Sequence, residues 1–197
     1  MKTNLVERLW VDGPWRVPFI ASEIRFFKDL CDISPGGRLL EVGCGRGAGA
    51  RMILRQYSPR MLDAIDVDPD MIRRARRWTR PALARRVSFQ VADAQELPFS
   101  NGSMDAVFNF GIIHHLEDWR QGIREISRVL RPGGAFLFEE IYPALYAGFL
   151  LRRVLVHPRN DRFEGPQYRA ELEANGLRIV PGYRETKYTI VGAAIRT

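Results

Sequence analysis

Hydrophobic residues follow two different patterns along the chain, and together these patterns predict the order of its strands and helices. Short apolar runs rich in β-branched and aromatic residues predict strands, whereas apolar residues three or four positions apart predict helices. Five predicted strands are each followed by a helical stretch, which favours a doubly wound parallel sheet of the α/β class. These strands are residues 39–42, 61–67, 86–92, 104–111 and 135–141.

Further elements are predicted on both sides of these five units. Ahead of the first strand, a helix at 17–31 has one apolar face, formed by Ile20, Ile24, Phe27 and Cys31. Beyond the fifth strand the pattern changes, with a strongly apolar segment, a second helix and two short strands. These later elements are residues 144–156, 167–175, 177–180 and 189–195.

The turn after the first strand has a composition that favours a nucleotide-like ligand. The strand contains an acid, Glu41, and glycines follow at alternate positions: Gly43, Gly45, Gly47 and Gly49. Without a Cβ the backbone can bend sharply, and a ligand can lie against the main chain near the free N–H groups of the next helix. Spacing alone leaves two cofactor classes open, because Gly43, Gly45 and Ala48 also fit the dinucleotide fingerprint.

Glu41 separates these two classes. A helix N-terminus binds a pyrophosphate through its positive potential, and a carboxylate just ahead of the turn opposes that interaction. The same carboxylate favours a ligand that has a cationic amino acid group and no phosphate. A second acid, Asp66, ends the next strand about 20 residues later. At that position a carboxylate can accept hydrogen bonds from both ribose hydroxyls of an adenosine.

Five stretches resemble motifs of class I S-adenosylmethionine-dependent methyltransferases, in the order that this family has them. The resemblance is to the small-molecule group called type 11, which is similar to the ubiquinone and menaquinone methyltransferases. It implies a Rossmann-like sheet of seven strands, five parallel and two in a C-terminal antiparallel hairpin. The stretches are E-V-G-C-G-R-G at 41–47, A-I-D-V-D-P-D-M at 64–71, D-A-Q-E-L-P-F at 93–99, S-M-D-A-V at 103–107 and V-L-R-P-G-G at 129–134.

The resemblance also implies which residues bind the cofactor, S-adenosylmethionine, whose product is S-adenosylhomocysteine. Asp66 would bind the ribose and Val67 would contact the adenine. Asp93 would accept a hydrogen bond from the adenine amino group, and the backbone N–H of Ala94 would donate to the ring. The full implied set is Glu41, Gly43, Gly45, Gly47, Asp66, Val67, Asp93, Ala94, Asn109 and Phe110, the last two beside the methionine portion.

The helix after the second strand has its own start signal. Asp68 fits as its N-cap, with Pro69 at the first helical position. Ile72, Ala75 and Trp78 are predicted to face inward, which leaves several arginines on the outer faces. We interpret those arginines as a solvated surface, with an anionic partner as the alternative.

Methyl transfer from a sulfonium needs neither a nucleophilic side chain nor a metal, since alignment of the two reactants can supply most of the acceleration. A base matters only where the acceptor must lose a proton. His114 and His115 follow the fourth strand, at the sheet edge where ligands bind, and imidazole titrates near neutral pH. Glu139 and Glu140 alternate faces at the end of the fifth strand, so one of them should face the cleft as a base or as a cation-binding acid.

We predict one domain, divided by role into four segments. Residues 1–36 hold the N-terminal cap helix, which either covers the cofactor or packs on the sheet edge. Residues 37–141 form the cofactor-binding core and 177–197 the terminal strands. Residues 142–176 form the substrate region, where Tyr142 and His157 are weaker catalytic candidates. Its apolar helix at 144–156 either lies on a membrane surface or walls a pocket for an apolar substrate.

Composition adds little to this prediction. The net charge of +7 comes almost wholly from arginine and is compatible with an anionic partner or with solubility alone. Two cysteines, Cys31 and Cys44, give neither a disulfide framework nor metal-ligand spacing. The first residues contain no apolar signal region and no window is long enough to span a membrane. We therefore expect a cytoplasmic protein, with peripheral membrane contact left open.

The sequence as a whole predicts methyl transfer from S-adenosylmethionine to a small apolar or amphiphilic acceptor. Three alternatives remain: a nucleic-acid methyltransferase, a protein that binds the cofactor without catalysis, and a dinucleotide dehydrogenase. Against the first, residues 109–112 lack the N/D-P-P-Y/F motif with which base-amino methylases hold a flipped base. No recognisable RNA-binding module is present either. The sequence does not predict the oligomeric state.

Overall fold

The computed structural model describes Gly13 and residues 16–146 and 161–197, with the side chain of residue 146 left aside. Within them, strands form one mixed sheet. The strands are β1 (Arg38–Val42), β2 (Met61–Asp66), β3 (Val87–Val91), β4 (Met104–Phe110), β5 (Leu130–Ile141), β6 (Leu177–Ile179), β7 (Arg184–Glu185) and β8 (Thr189–Arg196). Their order in the sheet is β3-β2-β1-β4-β5-β8-β6, and β7 pairs with β8 beside this path.

Helices follow β1, β2, β4 and β5 along the chain, whereas β3 leads to β4 without a helix, so the prediction of a helical stretch after the third strand is wrong. The helices are α1 (Arg16–Leu30), α2 (Ala48–Gln56), α3 (Pro69–Trp78), α4 (Pro81–Ala84), α5 (Trp119–Val129), α6 (Pro143–Tyr146) and α7 (Gly165–Ala174). A 3-10 turn at Ile113–His115 follows β4. The five strands β1 to β5 pair in parallel, and β8 pairs antiparallel with both β5 and β6. The predicted doubly wound sheet with a C-terminal antiparallel hairpin is therefore confirmed, and β7 adds a two-residue strand that was not predicted.

The direction of the strand order reverses between β1 and β4. The chain proceeds outward from β1 through β2 to β3, then returns to place β4 on the other side of β1. At such a reversal the two following connections leave toward opposite sides, which opens a crevice at the carboxyl ends of the two strands. The glycine turn after β1 and Gly111 after β4 both lie at this crevice.

Alternating residues of the central strands contribute to two separate hydrophobic cores, one on each face of the sheet. Leu40, Val107 and Phe138 belong to the core that α5 and α7 cover. Leu39 and Phe108, one position along, belong to the core that α1, α2 and α3 cover. Burial of apolar surface on both faces is what a parallel sheet requires, and it explains why these strands are continuous apolar runs.

Two predictions about local structure need correction. Trp78 was predicted to face inward, but its side chain is 48% exposed. The reason is that α3 ends at this residue, and the guanidinium of Arg46 lies over the indole, 4.7 Å from the ring centroid. The fifth strand begins earlier than predicted, at Leu130, and its pairing with β4 shifts register around residues 131–134.

The predicted helix at 144–156 and His157 lie almost entirely outside the described residues, which include only its first turn, α6. Within the described ranges, no helix is both long and apolar enough to cross a membrane.

Candidate functional site

The glycine turn is shaped by backbone conformation and by close packing. Gly43, Gly45 and Gly47 all adopt positive φ, at 68°, 51° and 75°, a region that side chains with a Cβ rarely adopt. A Cβ on Gly43 would overlap the side chain of Ile112, and one on Gly49 would overlap the carboxylate of Glu41. These glycines are therefore dictated by the fold around the turn, before any ligand is considered.

The turn leads into the N-terminus of α2, where backbone donors converge. Gly47 is the N-cap of α2 and provides no side-chain oxygen to satisfy the first N–H groups. Cys44, inside the turn, is 5% exposed and donates its backbone N–H to the carbonyl of Ile65 at 2.8 Å. Burial is the main cause that raises the pKa of its thiol well above the usual value, followed by the charges of Glu41 and Asp66.

Glu41 lies directly beneath this helix end. Its side chain is 2% exposed, it accepts a hydrogen bond from the backbone N–H of Ala50, and its Oε2 has no hydrogen-bond partner among the described residues. Burial raises the pKa of Glu41 to about 8, Arg51 opposes the shift and Asp66 adds to it. A buried carboxylate without a full set of donors is costly. The group is therefore suited to a cationic ligand, as the sequence predicted.

Asp66 joins the end of β2 to the glycine turn. Its Oδ2 accepts a hydrogen bond from Gly45 N at 2.8 Å and its Oδ1 accepts one from Asp68 N at 2.9 Å. A carboxylate oxygen can accept more than one hydrogen bond, so these bonds are compatible with further bonds from ligand hydroxyls. Asp68 caps α3 by accepting from Asp70 N at 2.8 Å, with Pro69 at the first helical position, which confirms the predicted cap.

The other predicted adenosine contacts lie along the same edge. Val67 is 50% exposed immediately after β2. Asp93 follows β3 and is exposed, and it accepts a hydrogen bond from Gln95 N at 2.8 Å. Ala94 is buried beside it. The structure thus brings Glu41, Asp66 and Asp93 to the carboxyl ends of three neighbouring strands.

Asn109 and Phe110, predicted beside the methionine portion, have side chains that are engaged inside the protein. Asn109 is fully buried, donates from Nδ2 to Glu140 Oε1 at 2.6 Å and accepts from Ile112 N at 3.0 Å. The ring of Phe110 packs 6.1 Å from that of Phe27. These contacts fix the end of β4, and the backbone there is what borders the crevice.

His114 and Glu140 form a buried pair on the α5 side of the sheet. His114 is 4% exposed, and its Nδ1 lies 2.6 Å from Glu140 Oε2. Glu140 also accepts hydrogen bonds from Ile113 N and Asn109 Nδ2. Burial raises the pKa of Glu140 to about 7, and these hydrogen bonds act in the opposite direction by favouring the ionised carboxylate. When Glu140 is ionised it accepts a hydrogen bond from Nδ1–H, and the imidazole lone pair is then on Nε2.

His115 and Arg162 both contact His114. The imidazole of His115 packs against that of His114, with ring centroids 4.1 Å apart and ring planes tilted by 39°. Arg162, from the segment before α7, donates to the backbone carbonyl of His114. The predicted pair of histidines is thus brought together, and His114 has the more completely defined surroundings.

Glu139 points to the opposite face of the sheet, toward α1. It is 6% exposed, and its Oε2 has no hydrogen-bond partner in the part of the chain that the structure describes. Burial raises the pKa of Glu139 to about 7; Arg16 lowers it and Glu140 raises it. Glu23 of α1 is half-buried, and its Oε2 also has no hydrogen-bond partner among the described residues. Burial and the charge of Glu139 raise the pKa of Glu23 to about 7, and Arg16 opposes the shift.

Four residues of this site were not predicted: Arg16, Glu23, Arg51 and Arg162. A signal existed for two of them. Arg16 and Glu23 are seven residues apart, so they fall on the helix face that also presents Ile20, Ile24 and Phe27 to the core. Charged residues on an apolar helix face indicate a buried polar site. Across residues 16–146 and 161–197, no group of three or more acidic, histidine or cysteine side chains is placed to hold a metal ion.

Comparison with known protein families gives a match over half of the chain. The sequence profile of the family described as "Methyltransferase domain" matches residues 40–138. This region contains the glycine turn, Asp66, Asp93 and His114, and ends one residue before Glu139.

Two relatives extend this similarity. A fatty-acid O-methyltransferase of Mycolicibacterium smegmatis is 40% identical over 108 residues, which cover 55% of this chain and 38% of that protein. A 2-methyl-6-phytyl-1,4-hydroquinone methyltransferase of Synechocystis is 32% identical over 183 residues, which cover 84% of this chain and 56% of that protein. The chain therefore matches 38% and 56% of the lengths of these two relatives.

A solved structure shares the fold. Geranyl diphosphate C-methyltransferase from Streptomyces coelicolor, in complex with Mg²⁺, geranyl diphosphate and S-adenosyl-L-homocysteine, superposes with a TM-score of 0.73 at 18% identity. The superposition covers 90% of this chain and 80% of that one.

Proposed function

Because the chain belongs to the methyltransferase-domain family, we propose that it binds S-adenosylmethionine and transfers the methyl group to a small apolar or amphiphilic acceptor. The observation that carries this proposal is Glu41, buried beneath the glycine turn with its Oε2 lacking a hydrogen-bond donor among the described residues. The ammonium of the cofactor's amino acid portion would provide that donor, and its charge would offset the cost of burying the carboxylate.

The remaining cofactor contacts would come from the neighbouring strand ends. Asp66 would accept hydrogen bonds from the ribose, and the backbone of the turn is already fixed by its bond to Gly45 N. Val67 and Asp93 are exposed on the same edge and would contact the adenine, with Ala94 N as donor to the ring. The cofactor supplies a methyl group on a positively charged sulfur, and its loss leaves a neutral thioether.

The chain's own part in the reaction is to align the acceptor and to take its proton. We assign the proton to His114 Nε2, since ionised Glu140 accepts a hydrogen bond from Nδ1–H and stabilises the imidazolium that forms. The acceptor's attacking atom gains the methyl group and loses its proton to His114, which then passes the proton to solvent. Glu139 lies on the other side of Gly111 and would contact the acceptor rather than share this role.

The lipophilic substrates named for the two relatives support an apolar acceptor. A second support comes from the ends of the segment that contains the apolar residues 144–156. Tyr142 and Phe163 are both buried, with ring centroids 6.4 Å apart, on the face of the sheet where His114 lies. These two aromatic side chains would border the apolar part of the acceptor. We further propose that the protein acts in the cytoplasm, with or without contact to a membrane surface.

Calorimetry with S-adenosylmethionine, S-adenosylhomocysteine and NAD tests the cofactor. We expect binding of the two adenosyl compounds and none of NAD; the reverse result would indicate a dinucleotide enzyme. Transfer of a labelled methyl group to a panel of thiols, phenols, quinols and amines tests the reaction. Binding without any methylated product would favour a non-catalytic role. Methylated RNA, with an RNA affinity that falls steeply with salt, would favour a nucleic-acid substrate.

Substitution of the proposed base tests its role. His114→Gln should lower kcat by about 10²–10⁴-fold while leaving cofactor affinity unchanged, which is the typical contribution of a general base. His115→Gln is the matched control, because it removes the neighbouring imidazole of the same turn. Equal losses in the two variants would assign both histidines to shaping the site.

A further inference from the structure

Helix α1 brings two charged side chains over the ends of β4 and β5. Arg16 donates from Nη2 to the backbone carbonyl of Phe110 at 2.8 Å, at the last residue of β4. Glu23, about two turns further along α1, is coupled by charge to Glu139 on β5. The Oε2 atoms of both glutamates are buried without a hydrogen-bond partner among the described residues. Such groups are rare in proteins, because an unpaired polar atom loses its hydration without compensation.

Gly111 lies directly beside Glu139. A Cβ built on Gly111 would lie 2.7 Å from Glu139 Oε2 and 3.7 Å from His114 Cε1. The glycine has a φ of 74°, a conformation in which side chains are strained. The absence of a side chain thus leaves one point that borders both the unpartnered carboxyl oxygen and the imidazole of the proposed base.

The charges around this point are predominantly acidic. Glu23 and Arg16 of α1 interact by charge with Glu139, and Glu140 and His114 lie next to them on the other face of the sheet. Both glutamates of the pair have a pKa of about 7, raised chiefly by burial, and Arg16 is the cation that counteracts the shift. Near neutral pH the pair therefore holds a proton on average, and presents both an acceptor oxygen and an acid O–H.

We propose that Glu23 and Glu139 form the subsite that binds the polar group of the acceptor, and that they select a neutral hydroxyl over a carboxylate. A hydroxyl oxygen can accept a hydrogen bond from the acid O–H of the pair at Glu139, while its own proton faces His114 Nε2 and its remaining lone pair faces the reacting methyl group. A carboxylate at the same point adds a further negative charge beside the glutamates, and like charges repel each other strongly in a desolvated site. The acceptor class would be phenols, hydroquinols or alcohols, as distinct from fatty acids.

This inference rests on the proposed function, since it assumes a small-molecule acceptor at this edge. Binding of acceptor analogues to the complex of the protein with S-adenosylhomocysteine tests the subsite separately from the proposed reaction, because such binding requires no turnover. We would measure, by calorimetry at pH 7.5, the affinities of para-octylphenol and para-octylbenzoic acid, which have the same apolar portion. The phenol should bind at least about tenfold more tightly than the benzoate.

Variants of the pair test the assignment. In the double variant Glu23→Gln, Glu139→Gln the preference for the phenol should shrink by about tenfold or more, chiefly through tighter binding of the benzoate. Asp29→Asn removes an exposed acid from the same helix and should leave the preference unchanged. Affinity for S-adenosylhomocysteine should stay equal in all three proteins, which also checks that they are folded.

Where the double variant does not fold, Glu139→Gln alone and a pH series replace it. In the unmodified protein the preference should fall between pH 7.5 and pH 6 as the pair gains protons, and this dependence should weaken in Glu139→Gln. Benzoate binding as tight as that of the phenol, a preference unchanged in the variants, or no binding of either probe would overturn the proposal. Selective phenol binding without methyl transfer to any acceptor would contradict the proposed function and leave the subsite supported.

Discussion

The two halves of the crevice are built in different ways. On the β1-β2-β3 side, the site is a continuous stretch of chain whose backbone conformation does most of the positioning, through glycines at positive φ and carboxylates that bind backbone N–H groups. On the β4-β5 side, the site consists of charged side chains from four separate segments, around Arg16, His114, Glu139 and Arg162. One half depends on local geometry and the other on burial.

This difference explains what each half tolerates. A backbone-built site fails when a side chain is added, because no rotamer can move a Cβ away. A side-chain-built site keeps its shape after conservative substitution and changes instead in charge and proton affinity. The predictions below test the contrast on the cofactor half, in order of expected effect.

The largest effect is expected for Gly43→Ala. The left-handed backbone costs about 1–2 kcal/mol for a residue with a Cβ, and the overlap with Ile112 adds about 1–3 kcal/mol. Gly133→Ala is the matched control, since its φ is 75° and nothing lies within 4 Å of the added Cβ. It should lose only the backbone contribution of about 1–2 kcal/mol. Denaturant unfolding measures both, and equal losses would contradict the packing argument.

A smaller effect, on cofactor binding, is expected for Asp66→Asn. The amide retains one oxygen that can accept from a backbone N–H but loses the charge-assisted bonds to the ribose. Affinity for S-adenosylmethionine should fall by about 1–3 kcal/mol. Asp70→Asn, an exposed acid in the first turn of α3, should leave the affinity unchanged. Calorimetry compares the two, and a folded Asp66→Asn variant with normal affinity would remove Asp66 from the ribose site.

The smallest expected effect is a pH dependence through Glu41. Its pKa is about 8 in the folded protein, so the carboxyl is mostly protonated at pH 6, and it must ionise to pair with the ligand's ammonium. Affinity for S-adenosylmethionine should therefore rise between pH 6 and pH 7, by at most about tenfold, or 1.4 kcal/mol. Binding should release a proton, measured as a dependence of the calorimetric heat on the buffer.

Glu41→Gln is the control for this prediction, since it should abolish the rise. The same raised pKa makes the unliganded protein less stable as pH increases from about 4.5 to 8, because the folded state holds the proton more tightly than the unfolded state. An affinity that falls between pH 6 and pH 7 would contradict the assignment of Glu41 to the ammonium.

The contrast also accounts for what the sequence could predict. The doubly wound sheet, the methyltransferase family and the Asp68 cap are confirmed, because each depends on residues that are close in sequence. The roles assigned to Glu41, Asp66 and Asp93 remain predictions, although the structure places these residues at neighbouring strand ends.

The acceptor half was less accessible to sequence reasoning. The bond between His114 and Glu140 joins residues 26 positions apart, and the coupling of Glu23 to Glu139 depends on how α1 docks. Helical periodicity placed Trp78 inward because it does not reveal where a helix stops. The engaged side chain of Asn109 was likewise hidden, since its partner lies on another strand.

The burial of Cys44 affects how the protein reacts with oxidants. Thiolates, rather than thiols, react with peroxides, disulfides and alkylating reagents. The buried Cys44, beside Glu41 and Asp66, stays protonated at neutral pH. The glycine turn therefore contains a sulfur that oxidants attack slowly, and cofactor binding should withstand oxidative stress that inactivates enzymes with a reactive cysteine at the nucleotide site.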